Sequence, residues 1–125
     1  MSRQVVRTEN APGAVGPYSQ GIIANGFIFT AGQTGLLPGT KTLPETVAEQ
    51  TRQTLHNIKS ILEAAGTTMD KIVKTTVYLQ NMADFATMNE VYASFFPGDP
   101  PARTTVEVAA LPLGALVEIE AVALL

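Results

Sequence analysis

Apolar residues recur with a two-residue period in some segments and a helical period in others, which divides the chain into strands and helices. Two short apolar runs, residues 22–24 and 27–29, flank the dipeptide Asn25-Gly26. Asn-Gly readily adopts the positive φ angles that a two-residue hairpin turn requires. The pattern therefore predicts a β-hairpin here, preceded by a short edge strand around Val5-Val6.

Two segments carry apolar residues at the three- and four-residue spacing of a helix. Thr46 and Glu49 have the spacing of a capping box, and Gly66 supplies the left-handed residue that ends a helix. A second apolar stripe stops at Pro97-Gly98, and we interpret it as core packing. The first stripe comprises Leu55, Ile58, Leu62 and Ala65, and the second comprises Phe85, Met88, Tyr92 and Phe95.

The remaining apolar runs predict three more strands and complete the fold. Residues 72–79, 103–109 and 116–124 alternate between apolar and polar positions. The predicted order is three strands, a helix, a strand, a helix and two strands. Two helices cannot cover both faces of a six-stranded sheet, so we predict an α+β fold with both helices on one face. A length of 125 residues favours a single domain, residues 1–125, and the open face needs a partner.

Composition narrows the possible chemistry. The chain has no cysteine and one histidine, His56, so we expect neither a metal site nor a cofactor, and we interpret His56 as a partly exposed helix residue. Eight basic and eleven acidic residues give a net charge of −3 without a basic block, which makes nucleic acid an unfavoured partner. Neither a signal peptide nor a membrane-spanning run is evident, so we expect a cytoplasmic protein.

The last two predicted strands carry polar residues suited to chemistry. Alternation places Arg103 and Thr105 on one face of the first, and Glu118 and Glu120 on one face of the second. If these strands pair as an antiparallel hairpin with their apolar faces toward the helices, all four side chains share the opposite face. An arginine there could hold a carboxylate while a glutamate polarises a water. The alternative is a solvated face with an Arg-Glu cross-strand pair, which the pattern alone favours slightly.

Five motifs occur in order along the chain. They are Gly-Pro-Tyr-Ser-Gln-Gly at 16–21, Phe-Thr-Ala-Gly-Gln at 29–33, Asp-Phe-Ala-Thr-Met-Asn at 84–89, Pro-Ala-Arg at 101–103 and Val-Glu-Ile-Glu-Ala at 117–121. Together they resemble the RidA family (YjgF/YER057c/UK114) over essentially the whole chain. The resemblance implies a chorismate-mutase-like fold and a homotrimer, in which the sheets form a central β-barrel and the sites lie in clefts between subunits.

The resemblance also implies an activity, the hydrolysis of reactive enamines and imines to 2-oxo acids and ammonia. Such imines, for example 2-aminoacrylate and 2-iminobutanoate, are released by pyridoxal-phosphate enzymes. At the matching positions, Arg103 would clamp the substrate carboxylate, Glu118 would hold or polarise the attacking water, and Tyr18 would shape the pocket. The other substrate-binding positions that the resemblance implies are Ala31, Gly32, Asn89 and Thr105, whereas Glu120 is expected to be structural.

Two positions depart from the family pattern and keep other functions open. Ala31 stands where many deaminating members carry serine, and Thr105 stands where many carry cysteine. The loss of the serine hydroxyl leaves a second hypothesis, a trimer that binds small 2-oxo acids or related carboxylates without turnover. A third hypothesis is an endoribonuclease or translation inhibitor, which the charge balance disfavours.

Overall fold

The structure, a computed structural model, describes residues 2–125; Met1, the first residue of the predicted domain, lies outside them. Within these residues six strands and two α-helices form. They are β1 (Gln4–Val6), β2 (Gly21–Ala24), β3 (Phe27–Thr30), α1 (Val47–Ala64), β4 (Ile72–Leu79), α2 (Phe85–Ala93), β5 (Ala102–Glu107) and β6 (Val117–Leu124). The predicted order of elements is confirmed.

The local features that define the first half of the fold are those predicted. Ala24 pairs with Phe27 across a turn in which Asn25 and Gly26 have φ angles of 55° and 84°. At the start of α1, the Thr46 hydroxyl accepts a hydrogen bond from the Glu49 N–H, at 3.2 Å. These elements need only neighbouring residues to form, because turn and cap energies are local.

Both helices pack on one face of the sheet, as predicted. The apolar face of α1 is fully buried, and α2 contributes Met88 and Tyr92 to the same core. The Tyr92 hydroxyl lies 2.7 Å from the Thr75 hydroxyl of β4, so a buried hydrogen bond joins α2 to the sheet. Phe85 departs from the predicted core stripe, because it is partly exposed at the start of α2. None of the helices in the described part of the chain is long and apolar enough to cross a membrane.

The sheet is mixed, and its strand order corrects one prediction. The order is β1-β2-β3-β6-β4-β5, with every neighbouring pair antiparallel except β4 and β5, which are parallel. The predicted β5–β6 hairpin is therefore wrong, because β4 lies between the two strands. The cause is the β4-α2-β5 crossover, which returns the chain parallel to β4 at the sheet edge.

The same register overturns the predicted grouping of four polar side chains. Arg103 is aligned with Thr75, which on its other side is aligned with Ala121, so Arg103 and Thr105 lie on the helix face. Glu118 and Glu120 point to the opposite, open face. The error has a physical origin: the apolar residues that β5 presents lie on its open face, where Val106 is 38% exposed. On the other face of β5, Arg103 stacks on aromatic rings of α2.

Candidate active site

The cleft that contains Glu118 is about 450 Å³ in volume. It lies between the loop that precedes β2, the segment that follows β3, and the loop between β5 and β6. Its lining comprises Pro12, Gly13, Val15, Tyr18, Ala31, Gly32, Gln33, Thr34, Leu36, Pro112, Leu113 and Glu118. Four of the predicted site residues meet here, namely Tyr18, Ala31, Gly32 and Glu118, whereas Arg103, Thr105 and Asn89 are not part of this lining.

Gly32 is the residue that makes room for the Glu118 side chain. Gln33 and Ile119 exchange backbone hydrogen bonds of 2.8 and 2.9 Å, which brings residue 32 against Glu118. A Cβ atom at Gly32 would overlap the carboxylate, lying 2.9 Å from the Glu118 carboxyl carbon. Real Cβ atoms do not approach a neighbour this closely, so the backbone of residue 32 packs directly on the carboxylate because it lacks a side chain.

Burial and a second carboxylate tune the ionisation of Glu118. Its half-buried side chain loses hydration, which raises the pKa of the Glu118 carboxyl above its usual range, and the charge of Glu120 raises it further. Glu120 is held in turn by Tyr78, whose hydroxyl donates to Glu120 Oε1 at 2.5 Å. This hydrogen bond, together with burial, raises the pKa of Tyr78 to about 12, so Tyr78 remains a donor across the physiological range. Sequence reasoning missed Tyr78, although its open-face position in β4 could have indicated it.

The loop that carries Tyr18 is held by a residue that sequence reasoning also missed. Gln20 is buried, and its Oε1 accepts from the Thr8 N–H at 2.8 Å while its Nε2 donates to the Pro12 carbonyl at 2.8 Å. The Tyr18 hydroxyl accepts from the Val15 N–H at 3.0 Å. These contacts give the cleft wall a defined shape although it is a loop.

Arg103 lies on the helix face of the sheet, against two aromatic rings of α2. Its guanidinium carbon is 4.8 Å from the ring centroid of Tyr92 and 5.5 Å from that of Phe85. A guanidinium that stacks on rings keeps its N–H donors around its edge, where a carboxylate can accept two parallel hydrogen bonds. Burial raises the pKa of Tyr92, while its hydrogen bond to Thr75 and the charge of Arg103 act in the opposite direction.

Two buried polar atoms near Arg103 have no hydrogen-bond partner, the Thr105 hydroxyl and the Asn89 side-chain oxygen. Thr105 follows Arg103 on the same face of β5. Asn89 lies one turn after Phe85 and one turn before Tyr92, so it shares their face of α2. An unpaired buried polar group costs about 1–3 kcal/mol, so a bound molecule that hydrogen-bonds to these two atoms would recover that cost.

The predicted site residues thus form two groups in one protomer. Tyr18, Ala31, Gly32 and Glu118 form the first group at the cleft, and Arg103, Thr105 and Asn89 form the second on the helix side of β5. Because Arg103 and Glu118 lie on opposite faces of the sheet, one protomer does not bring both groups to the same ligand.

Comparison with known proteins identifies the family. The Endoribonuclease L-PSP family model matches residues 8–125. Over 126 residues, covering 100% of this chain and 67% of the other, the chain is 51% identical to the Arabidopsis thaliana protein named Reactive Intermediate Deaminase A, chloroplastic. The chain belongs to the RidA family. A second RidA relative, the 2-iminobutanoate/2-iminopropanoate deaminase of Escherichia coli K12, is 48% identical over 123 residues, 96% of each chain.

The fold of the RidA family is also the fold observed here. The crystal structure of Escherichia coli TdcF with bound serine matches with a TM-score of 0.94 and 42% identity, over 98% of each chain. The predicted family and its α+β fold are therefore confirmed.

Proposed function

We propose that this protein is an imine deaminase that hydrolyses 2-iminobutanoate, 2-iminopropanoate and the related 2-aminoacrylate to 2-oxo acids and ammonia. The observation that carries the proposal is the half-buried Glu118 carboxyl, held against Gly32 in the wall of a cleft. Relatives that bear this activity in their names support it, at 48–51% identity over nearly the whole chain.

The reaction needs little from the protein, because an imine is already electrophilic. A water held by Glu118 adds its oxygen to the imine carbon, and the carboxylate takes the proton that the water loses. Addition to the protonated imine gives a carbinolamine, and Glu118 returns the proton to its nitrogen. The C–N bond then breaks and ammonia leaves, while the hydroxyl group of the carbinolamine gives its remaining proton to the Glu118 carboxylate and becomes the carbonyl. Because its pKa is raised, the Glu118 carboxylate is a stronger base toward the water proton than an ordinary glutamate. Orientation of the substrate carboxylate by Arg103 completes the requirement.

We propose further that the complete site forms between protomers of a homotrimer. The open face of the sheet carries exposed apolar residues, among them Phe29 at 45%, Leu124 at 43% and Val106 at 38% exposure. Closing three such faces around a central β-barrel would remove this surface from water. It would also let Arg103, Thr105 and Asn89 of one protomer complete the Glu118 cleft of its partner.

Two features favour a small-molecule ligand over nucleic acid. The TdcF relative is crystallised with serine, a small amino acid. The name of the family model refers to an endoribonuclease, but the net charge here is −3 and the single histidine, His56, stacks edge-on against Phe95 at 5.2 Å, outside the cleft lining. Nucleic-acid backbones are bound by clustered cations. A cytoplasmic location stays a prediction, since one relative is named as chloroplastic.

The proposed activity can be tested with an imine generated in the cuvette. Threonine dehydratase forms 2-aminocrotonate, which tautomerises to 2-iminobutanoate and decays slowly in water. Micromolar protein is expected to shorten the lifetime of the imine. The imine that remains at each time is measured by trapping it with semicarbazide. An unchanged lifetime, together with calorimetric binding of 2-oxobutanoate, would identify a binding protein without turnover and overturn the deaminase.

Replacement of Gly32 with alanine is expected to reduce deamination by about 10- to 100-fold, because the added methyl group displaces the Glu118 carboxylate from its position. Steady-state kinetics and the thermal midpoint are measured together. Gly13→Ala is the matched control, since Gly13 also lines the cleft but a Cβ there meets nothing within 4 Å. Equal activity in both variants would contradict this role for Gly32.

A further inference from the structure

One wall of the cleft is apolar and takes no part in the proposed hydrolysis. Its side chains come from three loops that are far apart in the sequence. They are Pro12, Val15, Leu36, Pro112 and Leu113. Val15 and Leu113 remain 67% and 55% exposed, so most of their surface faces the open cleft or solvent rather than the protein core. We call these five residues the apolar wall.

Leu113 has an unusual backbone conformation for its side chain. Its φ and ψ angles are 57° and 22°, and Gly114 follows with φ of 72°. Across residues 2–125, two residues other than glycine have positive φ, Asn25 in the hairpin turn and Leu113. Asparagine tolerates this region, whereas a leucine there is disfavoured by contact between Cβ and the backbone.

Neither burial nor turn geometry explains a leucine at this position. Glycine or asparagine would satisfy the backbone better, and the side chain is too exposed to stabilise the core. Strained residues of this kind cluster at ligand sites, where the surrounding structure holds them in place. The Leu113 side chain lines the cleft instead, together with Glu118.

We infer that the apolar wall is a side-chain pocket and that Leu113 selects imines with extended aliphatic side chains, an inference that rests on the proposed deaminase function. The cleft of one protomer, at about 450 Å³, has more room than a three-carbon imine fills. Each methylene that such a wall buries favours the longer substrate. The substrate class is the imine of an aliphatic 2-amino acid whose side chain is longer than that of alanine.

The test compares two imines in wild-type protein and in Leu113→Asn. An amino-acid oxidase generates the imines of leucine and of alanine in situ, and kcat/KM is measured for each. Wild-type protein is expected to favour the leucine-derived imine by about tenfold or more, and Leu113→Asn is expected to lose most of that ratio. Asparagine suits the left-handed backbone, so the thermal midpoint should not fall. Leu113→Gly, which also relieves the backbone, is expected to lose the ratio in the same way.

Leu37→Asn is the matched control, because Leu37 is an exposed leucine beside Leu36 that does not line the cleft. It should retain the wild-type ratio. A ratio that is equal in wild-type, Leu113→Asn and Leu113→Gly proteins, or a wild-type preference for the alanine-derived imine, would overturn the pocket and leave the deaminase intact.

Calorimetry tests the side-chain pocket independently of the hydrolysis reaction. The binding of 4-methyl-2-oxopentanoate and of pyruvate is measured with the same variants. One outcome is that the protein speeds the hydrolysis of neither imine but binds the longer oxo acid more tightly, and that Leu113→Asn loses this preference. That outcome would support the side-chain pocket and contradict the deaminase activity. If the protein neither hydrolyses the imines nor binds the oxo acids, both are overturned.

Discussion

Replacement of Glu118 with glutamine is expected to slow imine hydrolysis by about 10²- to 10⁴-fold, the usual contribution of a positioned general base. Glutamine has the same shape and fits beside Gly32, but its amide cannot accept a proton from water. The rate of imine loss at saturating substrate gives the comparison directly. Glu63→Gln, an exposed glutamate on α1, is the matched control and should retain full activity. Wild-type rates in Glu118→Gln would remove Glu118 from the mechanism.

The same substitution is expected to stabilise the protein at neutral and higher pH. Because burial raises the pKa of Glu118 in the folded state, ionisation of the carboxyl favours unfolding. The stability that this carboxyl contributes is fully present below its unfolded pKa and is lost as the pH rises through the folded pKa. Glutamine does not ionise, so Glu118→Gln should have the higher urea midpoint at pH 8, and the difference should vanish near pH 4. A less stable variant at pH 8 would show that the carboxylate is well solvated or paired.

Loss of activity with a gain in stability would distinguish a functional carboxylate from a structural one. Glu120 offers the contrast, because Tyr78 already donates to its carboxylate and gives it a structural partner. The two glutamates are two residues apart on one face of β6, yet their partners differ. Their roles are therefore set by Gly32 on one side and Tyr78 on the other, and not by position in the strand alone.

The sequence predicts those parts of the fold that depend on near neighbours. The Asn25-Gly26 turn and the Thr46 cap form where the residues indicate, because their energies come from a few adjacent backbone groups. Both helices could be assigned to one face because two helices are too few to cover both faces of a six-stranded sheet. The sequence also indicates the cleft residues Tyr18, Gly32 and Glu118, through the family motifs in which they occur.

The strand order could not be predicted in the same way. Which strands pair depends on contacts between distant residues, and the alternation of β5 is compatible with either face toward the helices. The insertion of β4 between β5 and β6 places Arg103 on the opposite face from Glu118. The hydrogen-bond partners of Tyr78 and Gln20 could not be predicted either, because each partner lies at least eight residues away in the sequence.

Arg103→Ala is expected to lower kcat/KM by about 10²- to 10³-fold, because the substrate carboxylate loses a bidentate, charge-assisted pair of hydrogen bonds. Arg103→Lys should recover only part of the loss, since an ammonium supplies the charge without the planar fork. Arg52→Ala, on the exposed side of α1, is the matched control. Size-exclusion chromatography with light scattering shows whether each variant keeps the assembly. Full activity in Arg103→Ala would remove the proposed clamp.

Subunit mixing tests whether Arg103 and Glu118 meet across an interface. Arg103→Ala and Glu118→Gln proteins are each inactive alone, but their co-refolded mixture contains clefts that take Glu118 from one variant and Arg103 from the other. In a cyclic trimer mixed at equal amounts, about a quarter of the clefts combine both intact residues, so about a quarter of wild-type activity should return. If both residues act within one protomer, every site keeps one defect and mixing restores nothing. Because the sheet separates the two side chains within a protomer, we expect recovery.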